Sequence, residues 1–209
     1  MQNEQCKICR RVGQKLFLKG DRCYSPKCAM LRRATPPGPE RKKKSWNVSE
    51  YKKALTEKQK LRNWYGLAEF QFKRYVEGVL VNRAKIQDIG DELIKRLEKR
   101  LDSVVFSMGF AKSRVQARQL VNHGHFTING KSIDIPSYIV KKDDVVALKE
   151  TKKKKPEYIG LLAQLNKKTF PAWVEVDKKN FTGKLKQEPR LVDTQPAAEL
   201  SVIFEFYSK

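Results

Sequence analysis

The sequence lacks an apolar run of about 18 residues, the length that a helix needs to cross a bilayer. It also lacks the pattern of a signal peptide, and it has no basic amphipathic helix with an aromatic face that would bind a membrane surface. We therefore expect a cytoplasmic protein with no membrane partner.

The common catalytic motifs are missing as well. The sequence has no glycine-rich phosphate loop, no HEXXH pair and no G-x-S-x-G elbow. His123 and His125 lie on either side of Gly124 with no evident nucleophile, and Asp143-Asp144 is typical of a turn. These observations predict that the protein is not an enzyme and has no catalytic residues.

Acidic residues are scarce relative to basic ones. The 209 residues include 23 Asp and Glu against 45 Lys and Arg, which gives a formal net charge of +22. Such a charge disfavours a compact chain unless a polyanion neutralises it, so nucleic acid is the leading candidate partner. Binding through several phosphates should weaken steeply as salt is added.

The four cysteines all lie in the first 30 residues. Cys6 and Cys9 form a C-x2-C pair, and Cys23 and Cys28 form a C-x4-C pair after a loop. Two close pairs can wrap one tetrahedral ion, and four thiolates leave no open position for a substrate, so we expect a structural Zn²⁺. The alternatives are an iron–sulfur cluster, two disulfides or free thiols, and a reduced compartment disfavours the disulfides.

The stretch 101–148 is predicted to hold two helices and a small sheet. Apolar residues recur at helical spacing until Gly109, which can end the first helix in a left-handed conformation. Ser113 followed by Gln116 is the pattern of a capping box, so the second helix should run from about Arg114 to His123. Its predicted inward side consists of Val115, Ala117, Leu120 and Val121.

The sheet in this stretch is predicted from alternation and from one strong turn signal. Phe126 and Ile128 alternate with polar residues, and Asn129-Gly130 then favours a hairpin. The return strand should begin with Ile133 and Ile135, and residues 145–148 should form a last strand. The whole stretch is therefore expected to be a small basic α+β unit.

The flanking segments have different patterns. Residues 31–47 are rich in proline and predict a linker that ends in a basic run. Residues 48–109 are predicted to be helical, with Asp91 as the N-cap of one helix. Residues 199–209 predict a strand because apolar residues alternate along most of that segment.

The run GFAKSRVQARQLVNHGHFTINGKSIDIPSYIVKKDDVV resembles the RNA-binding motif of the ribosomal protein S-four family. The segments LTEKQKLRNWYGLAEFQFKRY, PAWVEVD and IFEFYSK are also similar to that family, as is the cysteine spacing of its zinc-bearing bacterial members. The resemblance runs from Cys6 to Lys209. Pseudouridine synthases and tyrosyl-tRNA synthetases that share the motif would need a further catalytic domain of about 150–250 residues.

The resemblance implies an α+β fold with three parts. These are a zinc knuckle and basic linker (1–47), a mainly α-helical domain (48–97 with about 185–209), and an inserted S-four RNA-binding domain (98–184, core 101–148). In the family the C-terminal tail returns to the helical domain, so the second domain is an insertion.

The resemblance also implies a function. A family member is a structural constituent of the small ribosomal subunit, and it binds small-subunit ribosomal RNA early and nucleates assembly of the subunit body. It lies near the path by which messenger RNA (mRNA) enters, beside ribosomal protein S-five, and it influences translational accuracy. No homo-oligomer is implied. The competing interpretations are an RNA-modifying enzyme and a zinc-dependent DNA-binding regulator.

The expected RNA-facing residues fall in three groups, although an ordinary solvated surface would explain the same charges. We expect Arg114→Ala and Arg118→Ala to weaken RNA binding and to leave the melting temperature nearly unchanged. The three groups are the basic run Arg41, Lys42, Lys43 and Lys44; the helical residues Lys58, Lys60, Arg62, Lys73 and Arg74; and Lys112, Ser113, Arg114, Gln116, Arg118, Gln119, His123 and His125 around the second helix.

Overall fold

The computed structural model describes residues 2–39 and 49–208, and these residues combine helices with one small antiparallel sheet. The α+β class predicted from the sequence is confirmed. In chain order the helices are α1 (Gln2–Val12), α2 (Asp21–Tyr24), α3 (Ala29–Arg32), α4 (Glu50–Trp64), α5 (Glu69–Leu80), α6 (Ile89–Glu98), α7 (Leu101–Ser107), α8 (Arg114–Asn122), α9 (Glu150–Lys153), α10 (Leu161–Lys167), α11 (Leu191–Thr194) and α12 (Leu200–Ser208). The strands are β1 (Phe126–Ile128), β2 (Lys131–Ser132), β3 (Val145–Leu148), β4 (Val174–Asp177) and β5 (Thr182–Leu185).

The chain forms two compact units. The first consists of the described residues of Met1–Lys85 and Pro196–Lys209, and the second is Ile86–Gln195. The domain limits predicted from the sequence stay a prediction. Along the described chain, no helix is both long enough and apolar enough to span a membrane.

The last helix of the first unit corrects the sequence prediction of a C-terminal strand. α12 packs against α4 and α5 and buries Leu200 and Ile203, which lie one helical turn apart. Near its end, the Tyr207 hydroxyl donates to Glu69 at 3.0 Å. Alternating aromatic and β-branched residues favour a strand only weakly, and docking on two helices decides the conformation here.

The amino-terminal part of the first unit has a small core of its own. Cys9, Leu16 and Leu18 are buried together, and Met30 and Trp64 pack against them. The short helices α2 and α3 follow the loop that carries Leu16 and Leu18. This core holds the loop between the two cysteine pairs in a fixed place.

The second unit is built on a five-stranded sheet with the order β2-β1-β3-β5-β4, in which every neighbouring pair is antiparallel. Asn129 and Gly130 both have positive φ angles, 49° and 81°, so the predicted hairpin is confirmed. The return strand, however, is Lys131–Ser132 and ends before Ile133. The prediction that Ile133 and Ile135 begin the return strand was therefore wrong, and Ile135 is 55% exposed.

The helices of the second unit begin and end close to the predicted points, with two corrections. Gly109 has a φ of 81° and follows α7, as predicted. The N-cap of α6 is Asp88 rather than Asp91, because the Asp88 side chain accepts from the amides of Gly90 and Asp91. Asp91 instead accepts from the Leu191 amide at 2.7 Å and ties α11 to α6. Val115 was predicted to point inward but is 40% exposed.

The core of the second unit brings the helices and the sheet together. Buried residues of α7 and α8 share one cluster with residues of β1, β3 and α10 and with Trp173. Gly183 of β5 lies so close to α7 that an added Cβ would be 2.7 Å from the sulfur of Met108. Met108, the residue that follows α7, therefore packs directly on β5.

Candidate nucleic-acid interface

The interface predicted from the sequence begins at the first turn of α8. The structure confirms the capping box that was predicted for this turn. The Ser113 hydroxyl accepts from the Gln116 amide at 3.2 Å, and the Gln116 side chain accepts from the Lys112 amide at 2.8 Å. Ser113 is buried, and Gln116 is half-buried. Both side chains therefore fix the start of the helix.

The Arg114 side chain is largely buried and hydrogen-bonded inside the protein, and it does not extend over the surface. Its guanidinium donates to Glu98 at 2.7 Å and to the Ser103 hydroxyl at 3.0 Å. It also lies 4.9 Å from the centre of the Phe106 ring. The Arg114 side chain is 9% exposed and that of Glu98 is 1% exposed, so α8 is joined to α6 by a buried ion pair.

Arg118 is held by a second internal carboxylate. Its Nε donates to Asp102 Oδ2 at 3.2 Å, and Asp102 also receives two bonds from the buried Arg100, at 3.1 and 2.8 Å. The Arg118 side chain keeps 28% of its exposure. These bonds already restrict the rotamers of Arg118. Binding a phosphate would therefore cost less side-chain entropy at this arginine.

These contacts change the expectation for the two arginines. From the sequence, alanine at either position is expected to leave the melting temperature nearly unchanged, on the premise that both side chains lie on the outer face of α8. That premise is wrong for Arg114, whose removal would leave the Glu98 carboxylate buried without its cation. No signal in the sequence indicates these ion pairs, because Glu98 and Asp102 resemble ordinary polar positions of α6 and α7.

The other predicted residues around α8 divide between surface and interior. Lys112, Gln119 and His123 are exposed. His125 is 1% exposed, and its Nδ1 lies 2.8 Å from the Tyr158 hydroxyl, so the predicted surface position of His125 was wrong. A polar residue just after a helix suggested exposure, but the strand that begins at the next residue turns His125 inward.

Lys168 belongs to the same region and was missed. It follows α10, donates to the Phe106 carbonyl at 3.0 Å and lies 5.2 Å from the centre of the Phe106 ring. Burial, together with the neighbouring Arg114 cation, lowers the pKa of Lys168 to about 8. Nothing in the sequence near Lys168 indicates this, because only tertiary packing brings Lys168 to α7.

In the first unit, Lys58 was predicted to face RNA, and the structure places it inside. It is 6% exposed, pairs with Glu69 at 2.6 Å and lies 4.7 Å from the centre of the Phe206 ring. Arg62 shares the same carboxylate at 3.4 Å. Burial would raise the pKa of Glu69, but hydrogen bonds from Lys58 and Tyr207 outweigh it, and the pKa is lowered. Lys58 thus helps to join α4, α5 and α12.

The remaining predicted cations of this unit are more accessible. Lys60 is half-buried and pairs with Glu57 at 2.6 Å, whereas Lys73 and Arg74 are exposed on α5. The basic run Arg41, Lys42, Lys43 and Lys44 lies outside the described residues. Its predicted contact with RNA stays a prediction.

The four cysteines line one cavity of about 20 Å³, and none is in a disulfide. Burial raises the pKa of the Cys9 and Cys23 thiols. A backbone hydrogen bond from Leu16 opposes the rise at Cys9, and the Lys19 amide, 3.4 Å from the Cys23 sulfur, opposes it at Cys23. The number of thiols and the size of the cavity fit one ion. Within residues 2–39 and 49–208, however, no group of three or more His, Cys, Asp or Glu side chains is placed to hold a metal ion.

Comparison with known proteins matches both parts of the chain to described families. Residues 1–98 match the family described as "Ribosomal protein S4/S9 N-terminal domain". Residues 99–146 match the "S4 domain", and this range contains α7, α8 and the first three strands apart from the last residues of β3. The polar surface around α8 therefore lies within the matched S4 domain.

Curated relatives match the chain over nearly its whole length. The small ribosomal subunit protein uS4 of Caldicellulosiruptor saccharolyticus is 46% identical over 208 residues. That of Desulfitobacterium hafniense is 47% identical over 204 residues, and the uS4A protein of Bdellovibrio bacteriovorus is 44% identical over 204 residues. Each comparison covers 98% of this chain and 96% of the relative.

Proposed function

Because the chain belongs to the uS4 family of small ribosomal subunit proteins, we propose that it is a structural constituent of the small ribosomal subunit and binds ribosomal RNA directly. The observation that carries this proposal is the match over 98% of the chain to relatives with that name. The net charge of +22 supports a polyanionic partner.

The second unit supports a mode of binding that reads RNA shape. Lys112, Gln119 and His123 offer exposed donors, and Arg118 adds a guanidinium whose orientation Asp102 fixes. Such groups suit phosphates and 2′-hydroxyls, which dominate recognition of folded RNA. The protein would therefore hold a folded junction in place without reading a base sequence along a helix.

The finer roles follow from the family resemblance. The protein nucleates assembly of the subunit body, lies near the path of mRNA entering the subunit and contributes to translational accuracy. It works as a single copy in the cytoplasm, without a membrane partner, and performs no bond chemistry.

A protein neighbour, ribosomal protein S-five, is the expected partner beside RNA. One surface of the first unit suits a protein better than RNA. There, Tyr51 and Phe206 border a cavity of about 430 Å³ together with two carboxylates, Glu50 and Glu205, and one cation, Lys53. Carboxylates repel phosphates, whereas aromatic rings beside carboxylates suit a basic protein segment.

The cysteine cavity supports a structural Zn²⁺ held by Cys6, Cys9, Cys23 and Cys28, with an iron–sulfur cluster as the alternative. A metal there would fix the ends of the loop between the two pairs. Four thiolates give a closed coordination shell, so the ion would stabilise the fold and take no part in catalysis.

The proposal is tested by direct binding of the full chain to purified small-subunit ribosomal RNA. We expect tight binding that weakens by orders of magnitude between about 50 and 200 mM salt. Duplex DNA of matched length should compete poorly, and incubation should convert no uridine in the RNA. Preference for the duplex at matched salt, or turnover of a uridine, would contradict the proposal.

A further inference from the structure

Two aromatic side chains of the first unit lie stacked on each other and open to solvent. The rings of Phe17 and Tyr24 have centroids 5.0 Å apart and an interplanar angle of 27°. Phe17 is 42% exposed and Tyr24 is 76% exposed. Core packing does not account for a tyrosine that keeps three quarters of its surface in water.

The backbone turns Phe17 outward at a conformational cost. Leu16 and Leu18, its chain neighbours, are 1% and 6% exposed and belong to the amino-terminal core. Phe17 has a φ of 53°, a left-handed conformation that a bulky side chain rarely adopts. The local fold therefore keeps this ring partly exposed at the edge of the cysteine cavity, between two buried leucines, and strain of this kind is often kept for function.

Tyr24 stands on a braced turn rather than on a loose loop. The Ser25 hydroxyl donates to the Arg22 carbonyl at 3.0 Å and accepts from the Lys27 amide at 3.3 Å. The amide of Cys28 donates to the Ser25 carbonyl at 3.1 Å. A ring presented by a braced turn loses little freedom when a ligand packs against it.

The surroundings of this pair are basic. Lys15, Lys19, Arg22 and Lys27 lie within five residues of one ring or the other. None of these four side chains pairs with a carboxylate anywhere in residues 2–39 and 49–208. Lys15 and Lys19 also line the cysteine cavity, whereas Arg22 and Lys27 are exposed. Exposed cations beside an exposed π-face are the combination that binds single-stranded nucleic acid.

We propose that the Phe17–Tyr24 pair is a stacking platform for an unstacked base of ribosomal RNA. The base would lie on the open face of the Tyr24 ring as a third layer, while the neighbouring cations meet the phosphates on either side of that nucleotide. This inference rests on the proposed function, and it names a contact that neither the α8 surface nor the predicted basic run provides.

The matched control lies in the same unit. Tyr51 is 66% exposed and packs on another aromatic ring, Phe206, at 5.7 Å, but carboxylates flank that pair. Glu50 and Glu205 line that cavity against one cation, Lys53, and Lys58 near the Phe206 ring is paired with Glu69, so phosphates are less favoured there than beside Tyr24. Tyr51→Ala should therefore leave RNA binding unchanged, although it removes a ring of the same kind and similar exposure.

The experiment measures the dissociation constant of the full chain for small-subunit ribosomal RNA at several salt concentrations. The variants are Tyr24→Ala, Tyr24→Leu, Tyr24→Phe and Tyr51→Ala, and circular dichroism checks that each is folded. We expect Tyr24→Ala and Tyr24→Leu to bind about fivefold to a hundredfold more weakly, the usual effect of removing a stacking ring. Tyr24→Phe should bind like the parent chain.

The salt dependence separates stacking from charge. Loss of a stacking contact should lower affinity by the same factor at every salt concentration, because no phosphate contact and no released counterion is lost. The inference is overturned if Tyr24→Ala binds as tightly as the parent chain, if Tyr24→Leu retains full affinity, or if the slope against salt changes. A parent chain that does not bind the RNA at all would instead overturn the proposed function.

Discussion

The buried pair of Arg114 and Glu98 gives a sharp test of how α8 is held. Arg114→Ala removes the cation and leaves a carboxylate that is 1% exposed. Removing one partner of a buried ion pair typically lowers the free energy of unfolding by about 3–5 kcal/mol. At roughly 4 °C per kcal/mol for a domain of this size, the melting temperature of the second unit should fall by about 12–20 °C.

Urea and thermal unfolding followed by circular dichroism would measure this loss, and hydrogen exchange of amides in α6 to α8 would locate it. The matched control is Arg96→Ala, because Arg96 pairs with Glu92 on the same unit at 2.8 Å but with 34% and 22% of the side chains exposed. A pair so exposed is worth about 0.2–1 kcal/mol.

A second change tests the cause of the loss. Glu98→Gln in the Arg114→Ala background replaces the stranded charge by a neutral amide and should recover part of the stability. If Arg114→Ala costs no more than Arg96→Ala, the pair is not buried as described. Arg114 would then act on the surface, as the sequence alone suggested.

Three further predictions concern other parts of the chain. Cys9→Ser should lower zinc content and loosen the first 30 residues. In the parent chain zinc uptake should release protons and weaken as pH falls, because burial raises the pKa of the Cys9 and Cys23 thiols. Between about pH 8 and pH 10 the unfolded chain binds more protons at Lys168 than the folded chain does, since its folded pKa is lowered to about 8. The stability of the second unit should therefore gain with pH in that window relative to Lys168→Met, measured by urea unfolding. Gly183→Ala should lower the free energy of unfolding of the same unit by about 1–3 kcal/mol, measured by urea unfolding, because the new methyl group would meet Met108 at 2.7 Å.

Local signals in the sequence predicted a large part of the fold. Ser113 with Gln116, Gly109 and Asn129-Gly130 each impose a backbone geometry within a few residues, and each appears in the structure as predicted. The prediction of a C-terminal strand was wrong because the conformation of that segment depends on docking against α4 and α5. A preference read from the segment alone does not contain that information.

The site was less predictable than the fold for a related reason. The sequence shows that Lys58, Arg114 and His125 are polar, but their burial depends on partners far along the chain: Glu69, Glu98 and Tyr158. In a chain with 45 basic residues, composition cannot distinguish a cation that faces RNA from one that holds helices together. Lys168 shows the converse, because only packing brings it beside Phe106.

The most direct test of the central claim is sedimentation of the protein with small ribosomal subunits from the same cells. A structural constituent should be found with the subunits at about one copy each and should remain with them through a wash at moderate ionic strength. Recovery in the unbound fraction at moderate ionic strength, with intact subunits that lack it, would contradict the account.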